Sequence, residues 1–328
     1  SRNPIQGAVG DDASYDLAGI FVQDTIDLSE RWNFSLGGRF TYAGANADKV
    51  EDPVSGNQVS VDRDWGNAVG NARLVYKVKP DTWNIFGGIA QGFRAPNLTD
   101  LTSQIDTGAN EQEIPAISLE PEKYLTYEIG TRVNYQRFSA ELAGFYTDVN
   151  DMINRFPTGV VTADGKTEVG KANVGDGFVT GIEYGMAYEI HPEWTLFGNA
   201  TYMDGEMDVM TGPGPVASAE YLSRGMPSSG QVGLRWMSEQ RRFWAQIRGV
   251  LSATADHLSS RDRRDTERIP PGGTPGYERI DLKVGWNIHT KLTLTGAIDN
   301  MTNQNYRVHG SGTNAPGRNF IAALESRF

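Results

Sequence analysis

The chain has 328 residues, a net charge of −11, no cysteine and a mean hydropathy of −0.45. That balance excludes a nucleic-acid binder, whose partner's phosphates demand a basic surface, and any disulfide or thiolate-metal scaffold. No stretch nears the roughly 18 consecutive apolar residues of a spanning helix, so a helical membrane protein is excluded; a β-barrel with a polar lumen is not.

After a polar start, the first predicted strand is Tyr15–Ile26, whose outward face the pattern leaves ambiguous. Trp32–Tyr42 is clearer. Trp32, Phe34, Leu36, Gly38, Phe40 and Tyr42 share one face, and Asn33, Ser35, Gly37, Arg39 and Thr41 share the other. This is the period of two that a strand dictates. The same split recurs in Ala72–Val78, Leu125–Tyr135, Ile182–Ile190, Ile280–Ile288 and Leu292–Ile298. Less regular strands are Trp83–Phe93, Phe138–Tyr146, Trp194–Tyr202, Gln231–Trp236 and Phe243–Leu251. The last, Gly317–Phe328, sets Phe320, Ala322, Leu324, Ser326 and Phe328 against a mostly polar face and stops on an aromatic, as the closing strand of a membrane barrel does at the interfacial girdle. About thirteen strands result.

The connections alternate. Asp27–Arg31, Lys79–Thr82, Gln136–Arg137, His191–Glu193, Ser238–Arg242 and His289–Lys291 are short; Ala43–Asp64, Arg94–Tyr124, Asn150–Lys171, Asp204–Met226, Ala255–Gly276 and Met301–Pro316 are long. Outer-membrane barrels have tight periplasmic turns and longer extracellular loops, whereas a soluble β-sandwich has no reason to gather its long loops at one end. Aromatics near strand ends (Trp32, Tyr42, Trp83, Tyr135, Trp194, Tyr202) match interfacial girdles, and no propeller-like repeat is present. The expected fold is all-β: a transmembrane antiparallel β-barrel. Arg39, Arg73, Glu128, Arg132, Glu183, Asp281 and Lys283 then point inward, because each would cost about 2–4 kcal/mol at most against lipid. With the last strand ending in the periplasm, the first runs down from outside. Such an odd set cannot close in the usual even manner, so the expectation is the C-terminal portion of a larger barrel. Roughly four to five further strands would make a large porin, and about nine a plugged transporter.

Several segments resemble one family. Gly92-Phe93-Arg94-Ala95-Pro96 is similar to the "GFRAP" segment of TonB-dependent outer-membrane receptors. Leu119-Glu120-Pro121-Glu122 with Tyr127-Glu128-Ile129-Gly130 resembles their "L-x-P-E … Y-E-x-G" segment, and Asn173-Val174-Gly175 through Gly181-Ile182-Glu183 their "N-x-G … G-x-E" hairpin. Asn300 through Tyr306 looks like the "N-L-x-[DN]-x-x-Y" segment, and the terminal Phe328 is as in the family, although Ser326 stands where an apolar residue is usual. The resemblance implies a barrel of roughly 22 strands with an N-terminal plug and a TonB box, both expected outside this chain. It implies active import of a scarce ligand, most simply a ferric siderophore, energised through TonB. The alternatives are a passive substrate-selective porin and a structural or adhesive barrel.

Candidate ligand residues lie on the long-loop side: Arg94, Arg224, Arg261, Arg263, Arg264, Arg307 and Arg318, whose guanidinium groups suit an anionic metal chelate. Tyr306 and His309 form a candidate axial pair for haem. Haem receptors of the family carry a His in the loop after the Arg-Ala-Pro segment, and Asn97–Pro121 has none. Phe93, Arg94, Ala95 and Pro96 also have a structural reading, setting the exit of their loop. No catalytic constellation is present: His191 and His289 fall in short turns, His257 and His309 in separate loops, and Gly175-x-Gly177-x-x-x-Gly181 lacks the context of a phosphate loop. The expectation is no enzyme, no cofactor and no resident metal. The expected partners are outer-membrane lipid, a small metal chelate, the TonB complex, and an N-terminal fragment of the same barrel.

Overall fold

The computed structural model describes residues 9–52, 56–103, 110–213 and 217–327. The elements run β1 (Asp11–Asp27), β2 (Trp32–Glu51), β3 (Gln58–Lys79), β4 (Trp83–Arg94), α1 (Leu98–Thr102) and β5 (Glu111–Glu113). Next come β6 (Glu122–Tyr135), β7 (Phe138–Val161), β8 (Thr167–His191), β9 (Trp194–Met210) and β10 (Ala217–Tyr221). The chain continues through β11 (Ser229–Met237), β12 (Phe243–Ser252), α2 (Ser260–Arg264), β13 (Tyr277–His289), β14 (Leu292–Asp299) and β15 (Asn319–Ser326). One antiparallel path joins thirteen of the strands in chain order, β1 to β15, leaving out β5 and β10. β5 lies parallel to β8, and β10 pairs with β9. Among the described residues β1 and β15 each keep one edge unpaired, and they run in the same direction.

Register shows which face is which. Trp32 opposes Tyr76, Phe34 opposes Leu74 and Leu74 opposes Gly87, so the apolar rows of successive strands align on one surface. Ile129, Leu142, Ile182, Val232, Ile247, Val284, Leu294, Phe320 and Leu324 are all exposed there. A continuous apolar belt of this extent belongs against lipid rather than water. β1 is apolar on both faces: Ile20 and Val22 join the belt at 74% and 73% exposure, while Leu17 and Phe21 turn inward. That removes the ambiguity of its pattern. Phe328 lies outside the described residues.

Two expected loops are largely strand. β2 and β3 continue through most of Ala43–Asp64, and β7 and β8 take up most of Asn150–Lys171, so both hairpins project well beyond the belt. Beyond the membrane neither face meets lipid; backbone pairing persists, and in β2 the buried face is carried by small residues such as Ala43, Ala45 and Ala47. β10 likewise occupies part of Asp204–Met226.

The inner face is polar, with Arg132 held by Glu141 at 2.7 Å and Asp281 by Arg248 at 2.9 Å. Between the charges an aromatic residue repeatedly lies opposite a glycine. Phe86 faces Gly130, Phe145 faces Gly181, Phe197 faces Gly233 and Trp244 faces Gly285. At Gly130 an added Cβ would come within 2.4 Å of the Phe86 ring, so only hydrogen leaves the ring room to lie flat. The main apolar core sits not in the sheet's middle but at the long-hairpin end. There Ala43, Ala45, Ala47, Val50, Val61 and Trp65 of β2 and β3 pack with Ala95, Leu101 and Leu119 of the infolded loop.

Candidate functional site

The loop after β4 is anchored by Arg94. Its Nε and Nη2 each donate to Glu122 at 2.6 Å, and Nη1 donates to Asp100 at 2.6 Å. Asp100 also closes the capping box of α1 with Asn97. Glu122, at 2% exposure, further accepts from the Ile153 amide at 2.9 Å and from the Tyr124 hydroxyl. A planar guanidinium gripping two carboxylates is a structural clasp. Ala95 is buried in the mouth core and Phe93 packs against it.

A second clasp holds β5 down. The fully buried Glu113 pairs with Arg155, accepts from Ser103 Oγ at 2.5 Å and lies 3.6 Å from Lys171 Nζ. Burial pushes the Lys171 pKa down, with Arg155 adding to the effect and Glu113 opposing it.

Beside this clasp opens a cavity of about 190 Å³ on the inner side of the mouth. Arg155, Arg224, Arg261 and Arg264 line it together with Met152, Phe156, Met207, Met210 and Leu222. Ser259 caps α2 through Asp262, and the Ser260 amide donates to Glu220 at 2.6 Å, which aims the helix at the cavity. Arg224 takes a left-handed backbone, φ 55°, so that its amide meets both Asp262 oxygens at 3.2 Å. Its guanidinium pairs with Asp265 at 2.9 Å. Arg261 and Arg264 have no ion pair among the described residues. Arg261 keeps solvent access through the cavity, yet the surrounding walls push its pKa down, and the Arg155 and Arg224 charges push it further. Glu111 and Glu220 also line the cavity, and the Glu111 and Asp262 charges oppose the fall of the Arg261 pKa. Four arginines against these two lining carboxylates leave an excess of guanidinium groups suited to an anion.

Of the expected residues, Arg224, Arg261 and Arg264 line this cavity. Arg94 is held in its clasp, and Arg263 is exposed and is not part of the lining. Arg307 donates to Asn314 at 3.0 Å and Arg318 to the Met301 carbonyl at 3.0 Å. Tyr306 packs on Tyr277 at 4.4 Å between ring centres, with Arg279 over its face. His309 Nδ1 lies 2.9 Å from Thr274 Oγ1, and burial pushes its pKa down. Tyr306 and His309 thus have separate partners. Sequence reasoning missed Arg155, which lay in a stretch read as loop; the apolar Met152 and Phe156 around it were the available signal.

The architecture agrees with what comparison shows. A family model described as TonB dependent receptor-like, beta-barrel, matches residues 1–301. The chain belongs to this family. It is therefore an outer-membrane β-barrel protein of a family of transporters and receptors rather than enzymes. The Iron-regulated outer membrane virulence protein of Vibrio cholerae serotype O1 is 24% identical over 327 residues, covering 94% of this chain and 44% of that protein. The Probable TonB-dependent siderophore receptor PiuA of Acinetobacter baumannii is 22% identical over 332 residues, covering 97% and 41%. This chain therefore spans under half the length of these curated relatives. Among solved structures, Copper transporter OprC superposes with a TM-score of 0.77 at 17% identity, over 97% of this chain and 49% of that one. For such a barrel the short-turn end faces the periplasm and the long hairpins face outside.

Proposed function

We propose that this chain forms the ligand-admitting side of an active importer that takes an anionic metal chelate, a ferric siderophore, with energy delivered through TonB. The observation that carries the reading is Arg261 beside Arg264, neither in an ion pair among the described residues, in a methionine-lined cavity at the outer mouth. Carboxylate, catecholate or hydroxamate oxygens of a chelate would meet guanidinium donors, and the methionines would cover its apolar faces. The curated names support the class, since one relative is an iron-regulated protein and another a probable siderophore receptor. Antiparallel closure asks for an odd number of further strands between the free edges of β1 and β15, and we assign those strands and a plug to the rest of the receptor. The test is uptake of radioiron-loaded siderophores by iron-limited cells carrying the full-length receptor. Uptake should disappear without TonB. Uptake that persists there would make the protein a passive porin.

A further inference from the structure

At the opposite end, a recess of about 600 Å³ lies between the β11–β12 turn, the β13–β14 turn and the end of β15. Its size is within the range of about 300–1,000 Å³ typical of ligand pockets. Arg241, Arg242, Lys291 and Arg327 line it, against a single acid, Glu325, which is already 2.8 Å from Arg327. Arg241, Arg242 and Lys291 have no ion pair among the described residues. In a chain of net charge −11 such a basic enclave stands out.

Register decides what it can touch. Asn287 opposes Thr293 and Thr293 opposes Glu325, and all three line the recess. The alternating neighbours Trp286, Leu294 and Leu324 form the lipid belt. The recess thus opens to the lumen and periplasm, away from the bilayer. The turn that carries two of the arginines is pinned: Asn287 donates its amide to the Arg242 carbonyl at 2.7 Å and its side chain to the Arg241 carbonyl at 2.8 Å.

Backbone conformation supplies a second, independent observation. Eight non-glycine residues among those described have positive φ, and six of them are Asp or Asn, the types that tolerate it. The two exceptions are Arg224 and Arg241, at φ 55° and 54°. Arg224 lines the outer cavity and Arg241 the periplasmic recess. At Arg224 that backbone serves its own amide, which meets Asp262. At Arg241, an arginine kept where Asn or Gly would be easier points to a use for its side chain.

We propose that this recess is a docking site for an acidic polypeptide segment of a periplasmic partner, whose carboxylates take the free guanidinium and ammonium donors. The proposal does not depend on the outer cavity or on the ligand imported.

The probe is a fluorescein-labelled Asp/Glu-rich decapeptide, with its Asn/Gln counterpart as control, titrated by anisotropy against the full-length receptor in detergent. The acidic peptide should bind saturably and weaken as salt rises, and the control should not bind. Arg241→Asn favours the same left-handed backbone, so it should keep the folded barrel's heat-modifiable gel mobility while weakening the peptide about tenfold, the worth of one charge-assisted hydrogen bond. The double change Arg241→Glu with Arg242→Glu should abolish binding. Equal affinity of wild type and double variant, or no saturable binding by wild type, would overturn the proposal. So would binding of phosphatidylglycerol vesicles in place of the peptide, since that would make the recess a lipid-headgroup site.

Discussion

Arg94 and Arg261 sit at the same mouth, and a reading of residue types alone treats them alike. Their surroundings separate them. Arg94 spends its donors on Glu122 and Asp100, so its charge is neutralised within the fold. Arg261 is pressed by Arg155 and Arg224 and has no ion pair among the described residues. The first arrangement lowers the energy of the empty protein. The second leaves Arg261 beside two like charges that Glu111 and Asp262 only partly offset, a repulsion that a bound anion would relieve. Whether an arginine builds the mouth or serves a ligand is therefore decided by its counter-charges, not by its place in a motif.

The contrast can be broken by mutation. Arg94→Ala should cost about 3 kcal/mol of local stability, the low end for an orphaned buried carboxylate because Arg94 is itself part-exposed. Hydrogen exchange over residues 95–103 and 110–121 should accelerate accordingly, and unchanged protection there would show that the clasp is incidental. Arg261→Ala should leave that protection intact while ferric-siderophore affinity falls roughly 10–100-fold, the worth of a charge-assisted contact of about 1.5–3 kcal/mol. If both variants lost stability equally, the distinction would fail.

The smallest effect concerns His309. Burial holds its pKa below the ordinary value, so the unfolded loop binds the proton more readily than the folded one. The contact with Thr274 should be complete above about pH 6.5 and lost as pH falls below it through the lowered folded value. Other charges facing the ring are Asp262, which opposes the shift, and Arg224, which reinforces it. Exchange protection of residues 270–276 should fall on acidification in the wild type and stay flat in His309→Gln.

Much of this was legible beforehand. Wherever one face of a strand meets lipid, as in Trp32–Tyr42 or Ile280–Ile288, the period of two is a direct record of the environment, and the strand count and the two unlike ends follow from it. Legibility failed beyond the belt, where no face meets lipid. There β2 turns mostly alanines (Ala43, Ala45, Ala47) into the core, a weak apolar signal, so Ala43–Asp64 read as a loop; Asn150–Lys171 read likewise and Arg155 went unseen. The site was only half visible for a related reason. Arginines are obvious in a sequence, but their carboxylates are not: Glu122 lies 28 positions from Arg94, and Asp265 lies 41 from Arg224. Spacing gives no hint of which cation will be left over.

The four aromatic–glycine rungs bear on assembly. Each ring fits only over a residue without a side chain, and the rungs join β4 to β6, β7 to β8, β9 to β11 and β12 to β13. A slip of two residues between any such pair would keep every strand's lipid face correct, so the bilayer could not detect the error. The same slip would drive a ring into a bulky neighbour. These rungs therefore act as a proofreading device, penalising the one class of misalignment that hydrophobicity alone would let through.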